Sequence, residues 1–332
     1  MSSSSEKINT YTIGSRESQL AMIQTKHVKQ LLEASYPNHS FPITGMTTIG
    51  DKNLSQPLFQ IGEKSLFTKE LEVALQNKIV DLVVHSLKDL PTILPEGMTI
   101  AAILKRENPS DALVIKKGLS YKSVDELPKG SVIGTSSVRR MAQMKAAFPD
   151  LVFQDARGNL NTRLRKLDDQ NGPYSALVLA VAGLERLEMS DRISQILPPN
   201  IMLHAVGQGA LAVECRVDDK QIIELLSVLE DKDTRLRCSA ERSLLRTLEG
   251  GCSVPIGVNT EFIETQNGTR ELKLLGLVAR LDGSEIIKAE AQKNVDEGGV
   301  ETADELGKEV ARILIEKGAN SILEELKILR QK

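Results

Sequence analysis

Arginine, hydroxyl and glycine recur together at two points of this 332-residue chain. In Gly134-Thr-Ser-Ser-Val-Arg-Arg140 a β-rich run hands over to helical periodicity. The hydroxyls of Thr135 and Ser137, the free N–H groups of a helix start, and Arg139 and Arg140 can then converge on an anion. Arg157-Gly-Asn-Leu-Asn-Thr-Arg163 repeats the design, with Asn159 before the helix. A guanidinium suits carboxylate or phosphate because its fork donates two parallel hydrogen bonds. The alternative is a solvated helix face carrying exposed ion pairs. Two like turns within one stretch favour the anion site.

Two further positions could carry chemistry. Lys88-Asp89 ends an apolar run just before Pro91. Ligands gather at the carboxyl ends of strands in parallel sheets, so Asp89 could serve as acid, base or hydrogen-bond acceptor. It could equally cap the turn, and position alone leaves the two even. Glu249-Gly-Gly-Cys-Ser-Val-Pro255 sets Cys252 in a loop whose glycines allow close backbone approach. Burial suits Cys215 and Cys238, but a loop thiol of this kind is accessible and open to covalent use. Other signals fail. Gly45-Met-Thr-Thr-Ile-Gly-Asp-Lys52 has Asp51 where a P-loop needs Lys, and Gly207-Gln-Gly-Ala-Leu-Ala212 runs into a strand where a dinucleotide fingerprint needs a helix. His27, His39, His85 and His204 are dispersed, so no metal site is expected.

Composition narrows the classes. Lys plus Arg number 42 against 45 Asp plus Glu, a net charge of −3, which argues against a surface built for nucleic acid. Aromatic residues at 3%, with no Trp, leave little for base stacking. Three scattered cysteines form no disulfide scaffold, no apolar run approaches the length of a membrane span, and the N-terminus lacks a secretory pattern. A cytoplasmic protein is expected, bound neither to membrane nor to nucleic acid.

The elements that must hold these residues follow from periodicity. Strands are expected at 10–14, 79–86, 131–135, 151–153 and 176–180, and helices at 18–34, 67–76 and from near 137, 161 and 183. Such alternation predicts two largely parallel sheets covered on both faces. The tail differs. Runs at 256–264, 271–280 and 285–292 are separated by Asn267-Gly268 and Asp282-Gly283, strong hairpin signals, before helices at 302–317 and 321–329. That is a small antiparallel α+β domain.

Seven motifs, in order, make the chain resemble the porphobilinogen deaminase (hydroxymethylbilane synthase) family. They are Gly14-Ser-Arg-Glu-Ser-Gln-Leu-Ala21, Ile61-Gly-Glu-Lys-Ser-Leu-Phe-Thr-Lys-Glu-Leu71, Val83-Val-His-Ser-Leu-Lys-Asp-Leu-Pro91, the two arginine turns, Ala205-Val-Gly-Gln-Gly-Ala-Leu211 and Leu248-Glu-Gly-Gly-Cys-Ser-Val-Pro255. The tail after about Ile256 matches by pattern only. The resemblance implies a transferase of haem and tetrapyrrole biosynthesis that condenses four porphobilinogen molecules head to tail into linear hydroxymethylbilane, releasing ammonia. It implies one covalent dipyrromethane cofactor on Cys252 through a thioether, and Asp89 as the catalytic carboxylate. Arg16, Ser18, Ser86, Lys88, Thr135, Ser137, Arg139, Arg140, Arg157, Asn159, Arg163, Arg186 and Gln208 match cofactor- or substrate-binding positions. Lys64 and Phe67 match a mobile loop over the active site.

The implied fold is α/β: two periplasmic-binding-protein-like doubly wound domains plus a small α+β domain with a three-stranded antiparallel sheet. The implied division is 1–106 with 206–230, then 107–205, then 231–332, in a monomer. There is one departure. Asp155-Ala156 stands where the family pattern has a basic residue followed by serine. No binding role is carried onto Asp155, which is expected to point away from bound carboxylates. A non-catalytic anion-binding protein is the competing class, but it would have no use for Cys252.

Overall fold

A computed structural model describes residues 8–48, 68–248, 254–265, 268–296 and 298–331, with side chains as far as 328. In chain order the elements are β1 (Ile13–Arg16), α1 (Gln19–Ser35), β2 (Ile43–Met46), α2 (Lys69–Gln76), β3 (Leu82–Ser86), β4 (Met98–Ile103) and β5 (Asp111–Ile115). Next come β6 (Val132–Gly134), α3 (Val138–Ala147), β7 (Val152–Gln154), α4 (Leu160–Asp168), β8 (Ala176–Ala180), α5 (Val181–Arg186) and β9 (Gln195–Ile196). The chain continues through β10 (Leu211–Arg216), α6 (Lys220–Leu226), α7 (Lys232–Thr247), β11 (Ile256–Glu264), β12 (Arg270–Ala279) and β13 (Ile286–Asn294). It closes with α8 (Gly299–Leu314) and α9 (Asn320–Gln331). Among the described residues no helix is long and apolar enough to cross a membrane.

Contacts divide the described chain into two compact units, one of 8–48, 68–106 and 210–234, the other of 107–209 and 235–331. The first holds a five-stranded sheet in the order β2-β1-β3-β10-β4. The apolar run Leu82-Val-Val sits at its centre because both faces are covered: Leu82 and Val84 pack with Val28 and Leu32 of α1, and Val83 packs with Leu71 and Leu75 of α2. Ser18 caps α1, its Oγ accepting from the Ala21 N–H at 3.4 Å.

The second unit holds a sheet of order β7-β6-β8-β5-β9. Met144 of α3 packs on one face with Leu113, Ile133 and Val178, and Leu164 and Leu167 of α4 pack on the other with Leu177 and Leu179. Its remaining part is the antiparallel sheet β11-β12-β13, whose Leu272, Leu274 and Val278 are buried with Leu306, Val310 and Leu314 of α8. This sheet joins the α3 side through Ala142, Leu203, Leu277 and Ala279. The Asp282-Gly283 turn fits there because Gly283 has φ +77° and a Cβ would lie 2.8 Å from the Ala142 carbonyl oxygen.

The expected α/β architecture with a separate three-stranded antiparallel sheet is present. The expectation of largely parallel sheets is corrected. In each five-stranded sheet two pairings are parallel and two antiparallel, because β10 runs against β3 and β4, and β5 against β8 and β9. A strand entering from a distant part of the chain has no crossover helix to set its direction. Boundaries also shift: β3 starts at Leu82 rather than 79, since Lys78 turns with φ +56° and leaves Ile79 exposed.

Candidate active site

In the first unit, β1 and β3 run parallel, so their carboxyl ends lie on the same side of the sheet. β1 ends at Arg16 and β3 at Ser86, after which residues 87–89 form a single 3-10 turn. The Leu90 N–H closes that turn on the Leu87 carbonyl at 3.2 Å, and Pro91 stops it. An open cleft of about 270 Å³ results, lined by Arg16, Ala21, Gln24, Val84, His85, Ser86 and Asp89. Asp89 is exposed, and among the described residues no turn amide or side chain holds its carboxylate. Its position therefore leaves it open to a ligand. Lys88 beside it is half-buried.

Gln24, buried in α1, was missed by sequence reasoning: its amide nitrogen lies 3.0 Å from the Ser86 hydroxyl. The signal was available, since a glutamine interrupts the apolar stripe of Leu20 and Val28 one turn from each. Ser18, by contrast, uses its hydroxyl as the helix cap.

In the second unit the two arginine turns lie side by side, because β6 and β7 are parallel neighbours with Gly134 opposite Gln154. Ser137 caps α3, and Thr135 Oγ1 accepts from the Ser137 N–H at 3.2 Å. Asn159 stands at the cap of α4 but is exposed and makes no side-chain capping bond. The half-buried Arg163 donates from Nε to the Gly158 carbonyl at 2.7 Å, fixing the turn from inside. Arg157 is held by Asp155, contrary to the expectation that this aspartate points away: Nη2 lies 2.9 Å from Asp155 Oδ2.

Arg139 and Arg140 lie in the interior, each only 5% exposed, rather than on an open wall. Both reach Asp111, a fully buried carboxylate at the start of β5. Arg139 Nη1 is 2.6 Å from Oδ2, and Arg140 Nε and Nη2 are 3.0 and 2.7 Å from Oδ1. Burial would raise the Asp111 carboxyl, but the two guanidiniums outweigh it and hold the acid far below the usual carboxylate range. Gln208, also buried, donates to the Pro109 carbonyl at 2.6 Å and to Asp111 Oδ1 at 2.9 Å. Half-buried Arg186 donates to the Gly209 carbonyl at 2.7 Å, and burial lowers its pKa. Gly209 can only be glycine here, with φ +87° and a Cβ position 2.5 Å from the Glu107 carbonyl oxygen.

Cys252, Lys64 and Phe67 lie outside the described residues. Cys215 and Cys238 are both buried, and burial pushes Cys215 up to about 12, so it stays a protonated thiol. Among the described residues no cluster of three or more His, Cys, Asp or Glu could hold a metal ion.

Comparison with known proteins finds relatives along most of the sequence. A family model described as porphobilinogen deaminase, dipyromethane cofactor binding domain, matches residues 11–224. A second, porphobilinogen deaminase, C-terminal domain, matches 235–316. The porphobilinogen deaminase of Nostoc sp. is 54% identical over 95% of this chain and 94% of its own. That of the yeast Yarrowia lipolytica is 48% identical over 94% of this chain and 92% of its own. That of Gloeobacter violaceus is 51% identical over 96% and 94%.

Proposed function

This chain belongs to the porphobilinogen deaminase family, and from that premise we propose how its residues divide the work. The enzyme is a transferase, a hydroxymethylbilane synthase, that condenses four porphobilinogen molecules onto a dipyrromethane cofactor and releases ammonia and linear hydroxymethylbilane. The meeting of Arg16, Ser86 and Asp89 at one cleft carries the assignment of the reacting centre.

Asp89 accepts hydrogen bonds from pyrrole N–H groups and stabilises the positive charge that develops as a ring reacts. A carboxylate that no described group holds can also take and return a proton there. Arg16 binds a substrate carboxylate beside it, Ser86 is oriented by Gln24, and Lys88 adds positive charge at the same turn.

The cofactor's acetate and propionate arms need cationic donors, and the second unit offers Arg157, Arg163, Asn159 and the start of α4 side by side with Thr135 and Ser137. These residues fit the group. We assign its attachment to Cys252, a reading supported by the burial of the other two thiols. When bound, the dipyrromethane supplies the pyrrole carbon on which the product chain grows. Arg139, Arg140 and Gln208 serve it through Asp111: their bonds to that buried carboxylate fix the start of α3 and the turn before it. Arg186 binds from α5, Ser18 sets the start of α1, and Lys64 and Phe67 belong to the covering loop.

We extend the reading to three domains, 1–106 with 206–230, 107–205 and 231–332, a division supported by the three separate sheets. A cytoplasmic monomer that binds no nucleic acid completes it, the last supported by the net charge of −3. The decisive experiment is intact mass spectrometry of the purified protein before and after addition of porphobilinogen. An adduct present on wild type and absent from Cys252→Ala, with hydroxymethylbilane formed, is expected. An adduct retained in Cys252→Ala moves the attachment site elsewhere, and no consumption of porphobilinogen sinks the assignment.

A further inference from the structure

Behind the cleft the first unit buries acid groups that the reaction as described does not use. His85 lies on the face of β3 that carries Val83, and Glu214 of β10 is registered opposite Val83 on the same face. His85 Nε2 is 2.9 Å from Glu214 Oε2, with the two side chains 3% and 0% exposed. The contact is one of charge and proximity: His85 Nε2 and both Glu214 carboxylate oxygens are buried without a well-aligned hydrogen-bond partner among the described residues. Glu72 of α2 covers the pair from above, itself buried and close enough to both to feel their charges.

A core that needed only filling would take apolar side chains here, as Leu71, Leu75 and Val83 do. Buried acids cost stability unless they are paired, and here Glu214 has His85 beside it while Glu72 lies near enough to feel both. His85 also lines the cleft, next in sequence to Ser86 and four residues before Asp89. The cluster thus occupies the point where the interior meets the reacting centre.

We propose that Glu72, His85 and Glu214 are positioning residues for the reaction, fixing the end of β3 so that Ser86 and Asp89 accept porphobilinogen. This rests on the functional reading above. Other charged groups on the surrounding elements are Glu70 beside Glu72, Arg216 further along β10 and Arg16 at the cleft. Arg216 is directed to Asp219 at 2.7 Å and to the Leu75 and Val80 carbonyls, both at 3.0 Å. It leaves the cluster acidic. Burial, and then the neighbouring Glu214, raise the Glu72 carboxyl above its ordinary value. As pH rises through that value, Glu72 becomes negatively charged beside Glu214 and His85, the strand end shifts, and KM rises.

The test uses the full-length, cofactor-loaded enzyme, with kcat and KM for porphobilinogen followed from about pH 5 to pH 8. Wild type is expected to show a step in KM on the alkaline side of the ordinary glutamate range, and Glu72→Gln, held neutral, to lack it. His85→Leu is expected to raise KM about tenfold or more, and His85→Gln, which keeps a polar group beside Glu214, to restore most of the loss. If His85→Leu does not fold, Glu72→Gln decides alone. A KM profile in Glu72→Gln that matches wild type overturns the proposal, as does equal impairment by His85→Leu and His85→Gln. Wild type that leaves porphobilinogen unconsumed overturns the functional reading itself, and the proposal with it.

Discussion

Asp155 grips Arg157 through one oxygen: Oδ2 accepts from Nε at 3.2 Å and from Nη2 at 2.9 Å. The aspartate side chain is 52% exposed and the arginine 19%, so the pair sits at the surface of the proposed anion site. A ligand carboxylate that uses the same fork must displace the one already there. Exposed pairs are worth about 0.2–1 kcal/mol, so Asp155→Asn is expected to lower KM for porphobilinogen about 1.5- to 5-fold with kcat unchanged. A rise in KM would mean that Asp155 orients Arg157 rather than competing for it.

Asp89, the proposed catalytic carboxylate, gives the opposite kind of residue, structurally idle. It is exposed and no described group holds its carboxylate, so Asp89→Ala is expected to change stability by less than about 0.5 kcal/mol in urea unfolding. Turnover is expected to fall about 100-fold or more, the range seen when a group stabilising transition-state charge is removed. A variant with near-normal kcat would remove Asp89 from the reaction.

Much of this was legible in the chain. The run Leu82-Val-Val, stopped by Asp89-Leu-Pro91, located both the central strand and the turn that ends it. The two arginine turns were legible as strand-to-helix junctions, and β6 and β7 indeed bring them together. The fate of Arg139 and Arg140 was not. A charge pattern does not reveal a partner about 30 residues away, and Asp111 looks like an ordinary polar residue until the fold buries it between two guanidiniums. Strand direction was equally hidden, because β10 enters the first sheet more than 100 residues after the strands it pairs with. Gln24 was readable and overlooked.

That buried triad sets a stability prediction. Removing the charge from Asp111 leaves Arg139 and Arg140 without their counter-ion in the interior, so Asp111→Asn is expected to cost about 3–5 kcal/mol at neutral pH. The sign with pH follows from the depressed carboxyl. The folded protein holds Asp111 ionised where the unfolded chain would protonate it, so the contribution is full above about pH 4 and is lost as pH falls below that. Urea unfolding of wild type and variant should therefore converge in acid. A gap that stays constant down to about pH 3 would show that the ionised form is not what matters.

Arg163 and Arg165 make an internal comparison on one helix. Arg163 is half-buried, with Nε bound to the Gly158 carbonyl at 2.7 Å, which directs the guanidinium back over the start of α4. Arg165 is exposed in the last turn of the same helix, where it favours the helix dipole and little else. If Arg163 holds a desolvated carboxylate, Arg163→Ala is expected to weaken porphobilinogen use, read as kcat/KM, by about 2–5 kcal/mol. Arg165→Ala is expected to stay within about 0.5 kcal/mol of wild type. Because Arg163 also pins its own turn, Arg163→Lys is the needed companion: it keeps a charge but loses the fork, and should recover only part of the loss. Equal effects at 163 and 165 would reduce the second arginine turn to a solvated helix face.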